Sequence, residues 1–599
     1  MPIYVDFEPI GRRGECPNGQ SLLDCARQLG VELINLCGGH GSCGRCVVQV
    51  MAGVVSDPTP EEEKFLTPAR LQADYRLACR TFPLMDCKVR VPPESLSTPQ
   101  RTQVESEDYH LEVAPPVRAY RVSVPPPSLE DLRGDAERFR DVLSERHGLT
   151  VSTVDVQALQ ALSTHLRTQD WTVQAVVRDG QEIVAVLPPE PRPLGLAVDL
   201  GTTKIAAYLL DLLSGKTLAA RGMMNPQIAY GEDVIARITY AQQSPKQAEH
   251  LRGLVVAALN RAAAEMATQV GAKATHIVEA VLVGNTAMHH LFLGLPVGPL
   301  AQAPYVPVVT SALDVKARDL GMTIAPGAYI HLLPNIAGYV GADHVAALLA
   351  TDIAHTGEAT LLLDIGTNTE VCLAHRGRMT SLSCASGPAF EGAHISCGMR
   401  AASGAIEHLR LVGDRVEFQT IGDGPPVGMC GSGILDALAQ LRRAGIVDRR
   451  GRMRTHPRVR EGNTGRGFVW VEEDDRHQAI MMTQKDVREL QLAKGAIRAG
   501  VEVLLQAHKL TPDDIQQVII AGAFGSYVDI SSAITIGILP AIPMERIRQV
   551  GNAAGLGARL ALVSWEKRAE ARRLGQQVQY IELASAPGFS QTFAQAMYL

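Results

Sequence analysis

Leu196-Ala-Val-Asp-Leu-Gly-Thr-Thr-Lys204 and Leu361-Leu-Leu-Asp-Ile-Gly-Thr-Asn-Thr369 are two copies of one pattern. Each is a continuous apolar run, as a strand buried on both faces requires, ending in Asp-x-Gly-Thr. Each resumes as a second β-like run, Ile205–Leu209 and Glu370–Ala374. The separation of Asp199 from Asp364 is one domain length, about 100–200 residues. The repeat therefore predicts a duplicated α/β domain, with two lobes facing across a cleft. A carboxylate at the end of a buried strand, followed by a glycine turn, suits phosphate and a hard cation. The turn offers N–H groups and hydroxyls, and the aspartate can hold Mg²⁺ or its waters.

Further small-residue stretches lie around these two. Val518-Ile-Ile reads as a strand feeding Ala521-Gly-Ala-Phe-Gly525, where glycine lets the backbone lie against a base or ribose. Leu333-Pro-Asn-Ile-Ala-Gly-Tyr-Val-Gly-Ala-Asp343 reads as a connection between lobes, and Gly428-Met-Cys-Gly-Ser-Gly433 as a turn facing the cleft. Singly, each suits packing as well as binding; their order along the chain carries the weight. Neither a Gly-x4-Gly-Lys-Ser/Thr loop nor a strand-linked Gly-x-Gly-x-x-Gly is present, so Walker and dinucleotide sites are set aside.

The other end of the chain is marked by cysteine. Of 11 cysteines in 599 residues, those at 16, 25, 37, 43, 46, 79 and 87 crowd the N-terminal region. Cys37-Gly-Gly-His-Gly-Ser-Cys43-Gly-Arg-Cys46, followed by Arg76-Leu-Ala-Cys79, has three thiolates on a glycine-rich loop and a distant fourth. That is [2Fe–2S] spacing, one residue longer in its first gap than the plant-type pattern. A zinc knuckle is the alternative, but zinc sites more often use two C-x2-C pairs. Cys37, Cys43, Cys46 and Cys79 are the expected ligands. Cys16, Cys25 and Cys87 are expected to be small buried hydrophobes.

These signals divide the chain. Residues 1–93 read as an α+β unit, with strands at Ile3–Phe7, Cys46–Val50 and Cys87–Val91 and a helix over Ser21–Gly30. Residues 94–117 have linker composition. Residues 118–191 form a small α/β middle domain, with a helix expected to open at Ser128-Leu-Glu-Asp and strands at Tyr120–Val124, Thr172–Val177 and Ile183–Leu187. Residues 192–599 form the duplicated region. With 57 Lys+Arg against 63 Asp+Glu, nothing favours nucleic acid as a partner. The absence of a long apolar run and of a signal-peptide pattern predicts a cytoplasmic chain without a membrane partner.

The order of the cleft motifs resembles the acetate and sugar kinase, Hsp70 and actin superfamily. That likeness implies ribonuclease-H-like lobes binding ATP·Mg through segments around Asp199, Gly338–Asp343, Asp364 and Gly522–Gly525. The whole chain resembles, more closely, the reductive activators of corrinoid proteins. The stretches that carry this are Asn225-Pro-Gln-Ile-Ala-Tyr-Gly-Glu-Asp233, Gly284-Asn-Thr-Ala-Met-His-His290, Gly387-Pro-Ala-Phe-Glu-Gly392 and Thr483-Gln-Lys-Asp-Val-Arg-Glu-Leu-Gln491. The resemblance implies a ferredoxin-like β-grasp module serving an ATPase that returns Co(II) corrinoid to Co(I). It implies that Asp199 and Asp364 organise Mg²⁺ and the attacking water. Gly201, Thr202, Thr203, Gly366, Thr367 and Asn368 would meet phosphates, Gly431, Ser432 and Gly433 line the cleft, and Gly522, Ala523, Phe524 and Gly525 face the adenosine. Glu391 suits an interlobe structural role as well as catalysis. His289 and His290, adjacent on a helix, are not expected to bind metal together, and Arg488 and Lys494 are expected on a solvated face. The implied partners are a corrinoid iron–sulfur protein or corrinoid methyltransferase component, an unidentified electron donor and a second copy in a homodimer. A kinase of the same superfamily fused to a ferredoxin, an ATP-gated redox sensor, and an activator of a 2-hydroxyacyl-CoA dehydratase are the rival readings.

Overall fold

The computed structural model describes residues 3–8, 11–29, 31, 33, 41, 44, 46–92, 95, 113–190, 192–231, 233–392, 394–462, 465–473, 479–525 and 527–599. Cys37, Cys43 and most of the expected linker lie outside them.

The duplication expected from the two Asp-x-Gly-Thr runs is present as two six-stranded sheets. In lobe I, strand Leu194–Leu200 pairs antiparallel with Lys204–Asp211 and parallel with Ile277–Gly284. In lobe II, Thr360–Ile365 pairs antiparallel with Thr369–His375 and parallel with Gln517–Ala521. A third antiparallel strand completes each meander, Thr217–Met224 in lobe I and Arg378–Cys384 in lobe II. Each sheet lies in its own apolar cluster, and long helices such as Pro245–Gln269 and Gln484–His508 cover them. This equivalence puts the two Asp-x-Gly-Thr turns at matching ends of matching strands.

At the N-terminal end, a five-stranded sheet runs Arg12–Cys16, Ile3–Glu8, Cys87–Arg90, Val47–Ala52, Tyr75–Leu77. Helix Leu22–Gln28, capped by the Ser21 hydroxyl accepting from Asp24 N, packs Leu22, Leu23, Cys25 and Ala26 into its core. Cys16, Cys25 and Cys87 are buried there as expected, but Cys16 and Cys25 are joined in a disulfide that the packing expectation missed.

The four-stranded sheet between module and lobes contains Val117–Ser123, Thr172–Arg178 and Glu182–Leu187. One face packs its own helices, through Val173, Ala175 and Val177; the other contributes Val176, Val184 and Leu187 to the core of lobe I. Arg178 bonds Asp314 at 2.5 Å, and Arg318 and Lys316 both reach Asp155, so the unit is welded to lobe I. The helix expected at Ser128 begins instead at Asp135. Ser128 Oγ accepts from Glu130 N and Asp131 N in a local turn, and Leu129 and Leu132 are exposed, leaving no apolar face to bury. Among the described residues, no helix is long and apolar enough to cross a membrane.

Candidate functional site

Between the lobes is a pocket that gathers the paired turns. Asp199, Gly201, Thr202, Thr203, Asp364, Gly366, Thr367, Asn368, Gly431, Ser432 and Gly522 all line it. The hydroxyls of Thr203 and Thr367, one from each lobe, lie 2.9 Å apart, and Thr367 donates to Glu391 Oε1 at 2.8 Å. Glu391 thus sits on the lobe contact and also lines the pocket. Gly433 and Gly525 do not line it. A Cβ on Gly433 would lie 2.2 Å from Ile406 O, and one on Gly525 would lie 2.9 Å from Ile520 Cγ2, so both serve close packing. Ala523 and Phe524 belong to the short helix Gly522–Gly525, but their side chains fall outside the description.

The stretches flanking the motifs hold the first turn in place. Asn225 Nδ2 donates to Gly201 O at 2.8 Å and Asn285 Nδ2 to Thr202 Oγ1 at 2.8 Å. Buried Arg237 donates to the carbonyls of Thr202 and Gly231. Gly522 has φ +91°, and a Cβ there would sit 2.5 Å from Ile365 O, so this close approach requires glycine. His289 and His290 are fully buried; His290 Nε2 accepts from Val308 N at 3.0 Å, and burial pushes His289 down to about 3. They pack inside lobe I, away from the pocket lining. Arg488 is exposed, whereas Lys494 is 1% exposed with its ammonium on Tyr598 O, because its helix face is covered by the C-terminal residues.

Two features give the pocket its chemistry. The first residues of four helices line it: Thr286–Leu293 through Asn285, Ala342–Thr351 through Asp343, Gly431–Arg443, and Ala553–Val563 through Asn552. Their positive ends favour an anion such as polyphosphate. Against this stand carboxyls taken out of water. Burial pushes Asp199 up to about 6, opposed by the Asn552 amide, which donates to it at 2.9 Å. Burial and then Asp199 raise Asp343 to about 7; burial, Asp343 and Asp199 raise Asp364 to about 8. Glu370 is raised too, by burial and then by Asp343 and Asp364. Such a group ionises fully only beside a cation, and oxygen donors of this kind suit Mg²⁺.

Asp343, the end of the expected connecting segment Gly338–Asp343, lines the pocket, and so do Glu370, Lys204, Arg400 and Asn552, which were not assigned roles from sequence. Glu370 had a signal: it is the partner of Asp364 across the antiparallel pair, Asp364↔Glu370. Arg400 and Asn552 had none, being brought in by tertiary folding.

In the N-terminal module the pairing Val47↔Leu77 sets Cys46 and Cys79 at the same end of two adjacent strands. Both are buried, and Ala78 N donates to Cys46 O at 2.8 Å. Gly41 and Gly44 have φ of +72° and +64°; a Cβ would lie 2.5 Å from Arg80 Nε at the first and 2.8 Å from the Phe65 ring at the second. Cys46 and Cys79 therefore fit as two thiolates of a cluster site, with close approaches at Gly41 and Gly44 beside them.

Fold and pocket define a two-lobed ATPase of the actin and sugar-kinase type joined to a ferredoxin module. Comparison with known proteins agrees along the chain. Residues 5–84 match the 2Fe-2S iron–sulfur cluster binding domain, 106–192 the RACo linker region, 194–356 the RACo middle region, and 358–599 the C-terminal domain of RACo, the ASKHA domain. The corrinoid activation enzyme RamQ of Eubacterium limosum is 32% identical over 593 residues, 95% of this chain and 94% of its own. The [Co(II) methylated amine-specific corrinoid protein] reductase of Methanosarcina barkeri is 27% identical over 60% of this chain and 68% of its own. The solved structure of a reductive activator for corrinoid, iron–sulfur protein superposes with a TM-score of 0.74 at 34% identity, covering 100% of this chain and 98% of that one. The chain belongs to the family of ATP-dependent reductive activators of corrinoid proteins.

Proposed function

We propose that this chain uses ATP to drive one electron onto the cobalt of a partner's corrinoid, restoring Co(I) from inactive Co(II). The observation that carries this reading is the joining of two sites in one polypeptide. One is a cleft where four buried carboxyls and four helix N-termini converge. The other is a module that sets Cys46 beside Cys79. Neither needs the other unless the electron must travel uphill; moving it against roughly 100 mV costs about 2.3 kcal/mol.

Thr202, Thr203, Thr367 and Asn368, with the amides of Gly201 and Gly366, hold the phosphates. Asp199 and Asp364, supported by Asp343 and Glu370, would hold Mg²⁺ and orient the water that attacks the terminal phosphate. The metal, when bound, supplies the charge that lets these carboxyls ionise together. Cys37, Cys43, Cys46 and Cys79 would hold the [2Fe–2S] cluster, which supplies the single electron. Residues 1–93 act as the electron module, 94–117 as its tether, 118–191 as a platform on lobe I and 192–599 as the motor. The partner is a corrinoid iron–sulfur protein or a corrinoid methyltransferase component, and the active unit is a cytoplasmic homodimer; resemblance supports both.

The test is anaerobic. Reduced, cluster-loaded protein is mixed with a Co(II) corrinoid protein, with and without ATP·Mg, and Co(I) is followed by visible absorption. Co(I) that appears only with ATP supports the reading. No ATP-dependent change with either partner class sinks it.

A further inference from the structure

A buried donor beside the cluster cysteines has no acceptor. Arg80 follows Cys79 in the chain. Its side chain is 33% exposed, yet its Nε is buried and meets no hydrogen-bond partner among the described residues. The outer edge of the guanidinium is occupied, because Nη2 donates to Glu61 Oε1 at 3.0 Å. The inner edge packs on Gly41, which stands between Cys37 and Cys43 in the sequence. A Cβ on Gly41 would lie 2.5 Å from Arg80 Nε and 3.2 Å from its Cδ.

This placement is held from several sides. Arg80 N donates to Leu77 O at 2.8 Å and Ala78 N to Cys46 O at 2.8 Å, while Leu22 N and Leu23 N donate to Thr81 O and Ala78 O at 2.8 and 2.9 Å. Glu61 sits beside Glu62 on the helix Pro60–Phe65, and Glu62 grips Arg76. One short helix thus holds an arginine on either side of Cys79 in the sequence. Glu61 is a carboxylate at neutral pH, its pKa kept below the ordinary value first by its own backbone amide and then by Arg80 and Thr59. A guanidinium pinned through Nη2 has little freedom to turn Nε elsewhere, and a buried N–H without an acceptor is disfavoured. Sulfur held by the neighbouring cysteines is the acceptor that suits this position.

We propose that Arg80 donates its Nε–H to sulfur of the cluster held beside it by Cys46 and Cys79, and thereby raises the reduction potential of that cluster. Taking up one electron adds one negative charge to a group already made anionic by its thiolates. A cationic N–H donor binds the more negative, reduced form more strongly, so reduction becomes easier. Arg80 therefore eases the transfer from the electron donor into the module and leaves more of the climb to cobalt for ATP to drive. The inference rests on the cluster reading of the cysteines.

The test is a potentiometric titration of the full, cluster-loaded chain, followed by electron paramagnetic resonance of the reduced cluster. Arg80→Met keeps an apolar stem and removes both donor and charge. At one fixed potential the ratio of reduced to oxidised cluster should fall about tenfold, a shift of about 59 mV for one electron. Arg80→Lys keeps the charge without the planar N–H and should recover only part of that ratio. An unchanged or raised ratio in Arg80→Met, or full recovery in Arg80→Lys, overturns the proposal. A wild-type chain that takes up no iron and gives no signal overturns the cluster reading and the proposal with it. A loaded wild type whose titration the substitutions leave untouched overturns the proposal alone. Pulsed resonance on the unsubstituted chain, labelled with nitrogen-15 in its arginine guanidines, guards against a variant that fails to load iron: coupling of the label to the reduced cluster is expected, and its absence contradicts the proposal.

Discussion

Glu62→Ala should cost the protein its cluster while sparing the ATP pocket. Glu62 is fully buried in the short helix Pro60–Phe65. Its carboxylate accepts from Arg76 Nε and Nη2, both at 2.9 Å, from Leu77 N at 2.9 Å, from Thr59 N at 2.8 Å and from Thr81 Oγ1 at 3.2 Å. Burial alone would raise its pKa, yet the bonds from Arg76, Leu77 and Thr59 win and hold it below the ordinary value. Arg76, 5% exposed, also donates to Ser56 O at 2.6 Å and Asp57 O at 3.0 Å. The pair ties loop 56–62 to the strand that delivers Cys79. Removing the carboxylate strands a buried guanidinium, at about 3–5 kcal/mol. A domain of this size has about 5–14 kcal/mol in all, at 0.05–0.15 per residue. At about 4–8 °C per kcal/mol, the module's melting point should fall by roughly 12–40 °C. Iron content, visible absorption and a thermal melt followed at the cluster bands measure this, with analogue binding as the control for the lobes. A Glu62→Ala chain with full iron content and a melt within about 4 °C of wild type would refute the reasoning.

Three further outcomes follow from the site and its supports. Asp364→Asn should lower ATP hydrolysis at least about 100-fold while leaving analogue binding intact, since it removes the oxygen aimed at metal and water but keeps the shape; a phosphate-release assay showing near-normal turnover contradicts that role. Gly522→Ala forces a side chain into φ +91° against Ile365 O, and should destabilise lobe II by about 1–3 kcal/mol in a denaturant titration. Acid should loosen the joint between the middle domain and lobe I, where burial and then Arg568 push His331 down to about 4 against the pull of Asp314. A histidine whose folded pKa lies below its unfolded value of about 6.5 stabilises the fold above that pH, and the contribution is lost as pH falls towards 4. His331→Gln should flatten the melting-point slope across that window, and an unchanged slope contradicts the assignment.

Much of this architecture was legible because local patterns and global fold agree. The two Asp-x-Gly-Thr runs carry strand, turn and strand within nine residues each, so duplication and cleft followed from short-range chemistry. What was not legible depends on distance along the chain. Asn552 reaches Asp199 across 353 positions, and Arg400 reaches Glu8 across 392. Lys494 looked solvated because its helix carries charge of both signs; only the C-terminal carbonyl of Tyr598 makes it a buried donor. Gly433 and Gly525 resembled binding glycines because close packing and ligand approach ask for the same missing Cβ. Ser128 fooled the capping pattern for a related reason, its hydroxyl satisfying nearby amides without a helix behind them.

The central claim is that the cleft and the cluster work as one machine. The most direct measurement records phosphate release and Co(I) formation together in one anaerobic reaction of reduced protein with its Co(II) corrinoid partner. The two should rise together, and Cys79→Ser should keep ATP binding while forming no Co(I). Equal Co(I) formation with ATP omitted would contradict the account.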